Sequence, residues 1–240
     1  MYIIIHTLIY RQWTGDDWGH VLFSDETKFN LNNPDGGQYV RRPVNERFNQ
    51  RYVRETEKYG GGAVFAWGIS GFKLTRNNLT IGCFSRNGVG PLVRIQGTMD
   101  APQYRDILAN HMLPYAQEIM PSNWFFLQDN DPKHTSNLLM GALRTLPDSR
   151  KVRLSGWFSL NRVRLLKHPA MSPDLNPIEH LWQIVKRKLG GKRFNSKDTL
   201  WEAVQEAWNS ISIDTCISLS DSMPRRIHSI IASKGGPTKY

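Results

Sequence analysis

The sequence predicts an α/β fold: a mixed sheet with helices packed on its faces. Three observations predict it. Val21 to Leu31 alternates, with Val21, Phe23, Thr27, Phe29 and Leu31 on one parity, the pattern of a strand with one buried face. Trp124 to Leu127 is apolar on both parities, as expected of a strand covered on both sides. Ile178, Leu181, Trp182, Val185 and Leu189 recur at helical spacing, which gives a helix one apolar face. With 240 residues, 40% of them hydrophobic, the chain has the material for one substantial core, and wholesale disorder is excluded.

Taken in order, Trp13 to Trp18 reads as a capped turn or brief helix. The strand at 21–31 follows, then a turn at Asn33-Pro34-Asp35-Gly36-Gly37 and a second strand at 38–42, which together make a hairpin. Residues 43–59 read as an extended loop, and 63–68 as a third strand after three glycines. Residues 69–88 are polar and glycine-punctuated, and Pro91 to Ile95 is another short strand. Asp100 caps a helix running to about Met120, with Tyr104, Ile107, Leu108, His111 and Tyr115 on one side. The buried strand at 124–129 ends at Asn130-Asp131-Pro132, and a helix starts near His134. Val163 to His168 is a strand. Asn176 then caps a helix with Pro177 at its first position. Ser196 starts a last long helix carrying Leu200, Val204, Ala207, Trp208 and Ile211 inward, and the tail from Ser222 adds a further turn or two.

Charge narrows the partner. The net charge is +10, from 31 basic and 21 acidic residues. Between Lys151 and Arg193 there are ten Lys or Arg against two acids, a local balance of +8. Such a stretch suits a polyanion, most simply nucleic acid, although a solvated face would also be basic. Two cysteines, Cys83 and Cys216, lie far apart. They argue for a reducing compartment and against a disulfide scaffold or a zinc site. The apolar start Ile3-Ile4-Ile5 is too short for a membrane span and has no signal-peptide leader. No membrane association is expected.

Three acids share one logic. Asp25 lies on the apolar parity of its strand, Asp129 ends the doubly buried strand, and Glu179 rims the apolar face of its helix. Carboxylates in such places are costly unless paired or bound to metal. If the two strands pair and the helix docks beside them, the three converge. Hard oxygen ligands in an open site suit Mg²⁺, and two such ions would activate a nucleophile and stabilise a leaving oxygen in phosphoryl displacement. Each acid also has a plainer reading. Glu179 sits where a capping-box acid would follow Asn176, Asp129 could cap the turn before Pro132, and Asp25 could pair with a buried Arg. Glu26, on the opposite parity, reads as solvent-facing. His134 either contacts phosphate or opens a helix. Lys186-Arg187-Lys188 is either a solvated face or, through Lys186 on Glu179's side, a phosphate contact.

At these residues a resemblance becomes specific. Val21-Leu22-Phe23-Ser24-Asp25-Glu26, Gln128-Asp129-Asn130-Asp131-Pro132-Lys133-His134-Thr135 and Ser172-Pro173-Asp174-Leu175-Asn176-Pro177-Ile178-Glu179-His180-Leu181-Trp182 resemble the three catalytic blocks of Tc/mariner superfamily DDE transposases. Lesser blocks match at Trp13 to Trp18, Tyr59 to Gly62, Gly90 to Val93 and Ser233 to Tyr240. The resemblance implies an RNase H-like catalytic domain over residues 13–240 that cleaves transposon ends and joins the 3′-hydroxyl to target DNA. Asp25, Asp129 and Glu179 would be both the catalytic and the metal-binding triad, holding two Mg²⁺ ions, with Mn²⁺ as a substitute. Lys133, His134, Lys186 and Arg187 are the candidate DNA contacts. The partners implied are double-stranded DNA, both transposon ends and target, and a second copy of the chain in a homodimer; the compartment implied is the nucleus.

Three departures from the family pattern stand out. Residues 1–12 are read as a residual leader, without the helix-turn-helix modules that family members carry upstream. Asp129 and Glu179 are separated by 49 residues, against roughly 34 in the family pattern. Residues 69–82 and about 140–156 look inserted. They motivate an alternative, a degenerate and catalytically inactive remnant that binds DNA or a protein partner. A two-carboxylate sugar hydrolase explains neither the third acid nor the basic stretch.

Overall fold

Among the described residues, one strand runs through the middle of a five-stranded mixed sheet and carries residues into two separate cores. The computed structural model describes residues 7–31, 79–97, 99–128, 154–167, 169, 172–236 and 238. The strands are β1 (Val21–Lys28), β2 (Leu79–Ser85), β3 (Gly88–Ile95), β4 (Phe125–Leu127) and β5 (Arg164–Leu165), in the order β3-β2-β1-β4-β5. The β1–β2 and β2–β3 pairs are antiparallel; β4 and β5 join in parallel.

The alternation of β1 divides the cores. Val21 and Phe23 enter one with α5 (Ile178–Leu189), α6 (Lys197–Asn209), α7 (Ile213–Asp221) and α8 (Met223–Ala232). Leu22 enters the other with α2 (Ala101–Ile107) and α3 (Leu113–Ile119). The expectation of one buried face for this strand is therefore corrected: a central strand in a doubly covered sheet is buried on both. Phe126, fully enclosed in β4, meets Phe158 of α4 (Leu154–Leu160) and Trp124 in the second core.

Helix α1 (Gly15–Gly19) starts where the sequence suggests, with Thr14 and Asp17 forming a reciprocal capping box. Its Trp18 is the hub of a ring cluster with Tyr10, Trp13 and Phe23. Tyr10 is in the core and donates to the Lys167 carbonyl at 3.0 Å, so the packed unit reaches upstream of Trp13. Asp100 caps α2 as expected. Between α2 and α3 a π-helical turn spans Leu108–Met112. The buried residues Tyr104, Leu108, Met112 and Ala116 are four apart; in a straight helix each step of four overshoots a turn by about 40°, and the wide turn restores the face. For that reason His111 is exposed and Met112 takes the inward position.

Several expectations change. The stretch 69–88 is not all loop: Leu79–Ser85 is β2, the antiparallel neighbour of β1. The expected strands at 38–42 and 63–68, and the loop at 43–59, lie outside the described residues. The strand expected at 163–168 shortens to the two exposed residues of β5 at the sheet edge. The tail from Ser222 holds a ten-residue helix, α8, rather than a turn or two, and α7 fills the stretch before it that had no expected element. Among the described residues no helix is long and apolar enough to cross a membrane.

Phe126→Ala should lower unfolding free energy by about 3–5 kcal/mol, the cost of a large cavity in a closed core. Leu160→Ala, at a side chain 73% exposed, should change it by no more than about 0.5 kcal/mol. Urea unfolding of both variants checks the contrast.

Candidate active site

The apolar stripe of α5 is the one read from sequence: Ile178, Leu181, Trp182, Val185 and Leu189 are all buried. That stripe presses α5 onto the β1 face carrying Val21 and Phe23. Asp25 shares their parity, so its carboxylate faces the helix. Glu179 stands on the first turn of α5 and its carboxyl shares a hydrogen bond with that of Asp25. Three residues further on, the Trp182 indole Nε1 donates to Asp25 Oδ2 at 3.1 Å.

The loop before α5 is stitched to the strand at the residue preceding Asp25. Asn176 Nδ2 donates to the Ser24 carbonyl at 3.0 Å, and Ser24 Oγ donates to the Leu127 carbonyl of β4 at 2.9 Å. Asn176 is thus not the expected side-chain cap: α5 follows Pro177 with no capping side chain. Its Nδ2 is turned instead to a buried backbone carbonyl that would be costly to leave unpaired, and its Oδ1, the atom a cap would use, is buried without a hydrogen-bond partner. Asn176 is 5% exposed, which leaves water no route to replace the Nδ2 bond.

The outer side of the loop is clamped too. It runs through a 3₁₀ turn, Pro173–Leu175. The buried Arg226 of α8 donates to the Asp174 carbonyl at 3.0 Å, and the Thr238 backbone N–H and hydroxyl donate to Asp174 Oδ2 at 3.1 and 2.7 Å.

The electrostatics follow from this crowding. Burial raises the pKa of Glu179; the Lys186 ammonium and the hydrogen bond with Asp25 pull the other way. Glu179 counts as exposed by surface area, yet the packed walls around its carboxyl withdraw enough water to favour the neutral form. Burial, then the positive charges of Arg226 and Arg187, hold His180 below the usual imidazole range. The start of α5 is thus a positive surface around an acidic pair. Hard carboxylate oxygens brought together in this way fit a divalent cation, which would offset their mutual repulsion. Among the described residues no group of three or more His, Cys, Asp or Glu gathers as a metal cluster; Asp25 and Glu179 are two.

Of the residues singled out in the sequence, Asp25 and Glu179 come together. Lys186 lies two turns along α5 and is half-buried, and Arg187 is exposed. Asp129, Lys133 and His134 lie outside the described residues. Glu26 is only half-exposed and, with Tyr104, His111 and Gln128, lines a narrow pocket, so the solvent-facing reading is corrected. Sequence reasoning missed Ser24, Asn176, Gly82 and Trp182 as site-building residues. Trp182 carried a signal: a buried indole N–H requires an acceptor.

A model of the family described as DDE superfamily endonuclease matches residues 20–201. The chain is 41% identical over 228 residues to the transposable element Tcb1 transposase of Caenorhabditis briggsae, covering 95% of this chain and 73% of that protein. It is 39% identical over 229 residues to the Tc1 transposase of Caenorhabditis elegans, again covering 95% and 73%. Its structure is similar to the catalytic domain of Mos1 mariner transposase, with a TM-score of 0.65 at 18% identity, covering 98% of this chain and 91% of that one. It is also similar to the chain in the Mos1 strand transfer complex, with a TM-score of 0.69 at 20% identity, covering 99% and 62%. The fold is therefore RNase H-like, as the sequence resemblance implied. The chain belongs to the DDE superfamily of endonucleases, as a catalytic domain of the Tc/mariner transposase type. It spans 73% of the length of the Tcb1 and Tc1 proteins.

Protonation and metal should compete at this site. Because the folded-state pKa of Glu179 is raised, the stability it contributes is complete below its ordinary value of 4.5 and is lost as pH rises through the folded value. In chelator, Glu179→Gln escapes that loss. Its melting temperature relative to wild type should be higher near neutral pH than at about pH 4. A difference that does not change with pH would contradict the raised pKa that burial gives Glu179.

Proposed function

We propose that this domain carries out metal-dependent cleavage of transposon-end DNA and transfer of the freed 3′-hydroxyl to target DNA. The observation that carries the reading is the hydrogen-bonded pair of Asp25 and Glu179, brought together from a central strand and a distant helix. Asp129 is the proposed third member on the sequence resemblance; the described part of β4 ends at Leu127, beside Phe23 of β1. On this proposal Asp25, Asp129 and Glu179 hold two divalent cations, Mg²⁺ or Mn²⁺. Mos1 structures described as containing Mg and Mn are similar to this chain in fold.

Bound there, the cations would lower the pKa of the attacking water or hydroxyl and offset charge on the leaving oxygen. The chain's own residues do the rest. Asp25 and Glu179 set the ligand oxygens on two rigid elements. The Ser24–Leu127 and Ser24–Asn176 bonds fix the spacing between those elements. Lys186 and Arg187, with Lys133 and His134, neutralise DNA phosphates and set the strand's register. A second copy of the chain is the proposed partner, as Mos1 structures are described as paired end complexes. The nucleus is the proposed compartment, because the substrate is chromosomal DNA.

The test is nicking of transposon-end DNA with Mg²⁺ or Mn²⁺. Asp25→Asn should lower the rate at least about a thousandfold, equivalent to about 4 kcal/mol of transition-state stabilisation. Equal rates in wild type and variant, or nicking that survives chelator, would overturn the mechanism. Metal-independent DNA binding with no nicking would favour the inactive remnant.

A further inference from the structure

We propose that the Trp182 indole N–H is a positioning group for Asp25: it holds Oδ2, so that Oδ1 is the oxygen presented to a divalent cation. This rests on the reading of Asp25 and Glu179 as cation ligands.

Helix α5 brings two groups to Asp25. Glu179 and Trp182 are three apart, neighbours on one helical face. The first contributes a carboxyl and the second an N–H, 3.1 Å from Oδ2. An N–H bonded to a carboxylate is charge-assisted, and it fixes the torsion that otherwise lets the two oxygens exchange.

The indole cannot swing away. It is 1% exposed, stacked on Trp208 at 4.8 Å with the planes 27° apart, and met edge-on by Phe29 at 6.2 Å. Trp208 is itself pinned by its N–H to the Gly90 carbonyl at 3.0 Å. The remaining wall is Gly82, the β2 residue directly across from Asp25. A Cβ there would come within 2.5 Å of the Trp182 ring carbon Cη2 and 3.2 Å of Leu92. The ring occupies space that any side chain at Gly82 would fill. One strand position thus supplies the acid, its cross-strand partner supplies the slot, and the helix bearing Glu179 fills the slot with the donor.

Hydrogen bonds to metal-ligating groups are worth roughly 10- to 100-fold in metal affinity. Calorimetric titration of the protein with Mn²⁺, without DNA, is the measurement. Trp182→Phe keeps the aromatic packing and removes the N–H; Gly82→Ala keeps the N–H and displaces the ring. Each should weaken Mn²⁺ binding roughly 10- to 100-fold, and the double variant should be no weaker than the worse single one, because both break the same bond. A merely structural role predicts a lower melting temperature in chelator with Mn²⁺ affinity unchanged, and that result overturns the proposal. Asp25→Asn separates the two readings. If it binds Mn²⁺ like wild type, the ligand assignment falls. If it loses binding while Trp182→Phe and Gly82→Ala do not, only the positioning role falls. Should the variants fail to fold, wild type alone decides by nitrogen-15 NMR. The Trp182 indole resonance should shift on Mg²⁺ titration with the apparent Kd that calorimetry with Mg²⁺ gives. No shift at saturating Mg²⁺ overturns the proposal.

Discussion

Ser24 is the joint on which the site depends. Its hydroxyl reaches Leu127 on β4, and its carbonyl receives Asn176 from the loop that launches α5. Those partners lie 103 and 152 residues away in the chain. Two buried hydrogen bonds therefore bring two distant segments to one residue, next to Asp25. Inside a closed core such bonds are costly to lose, because water cannot replace them. The small hydroxyl matters as much as its polarity. Ser24 is 5% exposed, in a strand covered on both faces, so a longer side chain would have no room to make the same bond.

The packing around that joint does electrostatic work. Two carboxyls within hydrogen-bonding reach repel one another once both are ionised. Nothing in their own chemistry would bring them together. The apolar stripe of α5 does so, by burying five side chains against the sheet and carrying Glu179 along with them. The clamp of Arg226 and Thr238 on Asp174 keeps the loop from relaxing outward. Core burial thus holds a pair that is stable only with a proton or a cation between its members. Local electrostatic strain, held in place by the surrounding fold, is characteristic of sites where chemistry occurs.

What was legible in the sequence was whatever a local pattern decides. The α5 stripe was read residue by residue, as were the Ser196 start of α6 and the Asp100 start of α2. Each follows from periodicity or a cap and needs no knowledge of the rest of the chain. Strand β2 was hidden because its alternation, with Leu79, Ile81 and Cys83 against Thr80 and Gly82, is short and reverses parity at Phe84-Ser85, where the pairing shifts register; the glycine has a tertiary reason, since Trp182 fills the space beside Gly82. Asn176 was misread because Asn followed by Pro is a genuine capping signal; only the sheet reveals that a strand carbonyl orients the side chain through its Nδ2. Helix α7 was missed because it is short and polar, although Ser212 caps it as a helix start should be capped. The acids themselves were legible because a carboxylate on an apolar parity violates a local rule, and such violations collect at functional sites.

The arrangement also gives a reason for Glu179 being on a helix. Glu179 and Trp182 are fixed to each other by helical backbone, and both act on Asp25. A rigid helix that slides or rotates moves the ligand and the orienting donor together, so the two cannot drift apart. An acid on a loop would lack that coupling, and one on a strand would alternate its neighbours to the opposite face. The weakest link is then the 3₁₀ turn that delivers the helix, which is where Asn176 on the inside and Arg226 and Thr238 on the outside are attached. Rigidity is concentrated at the point where a small error in the entry angle of α5 would be magnified along the helix into misplacement of both groups.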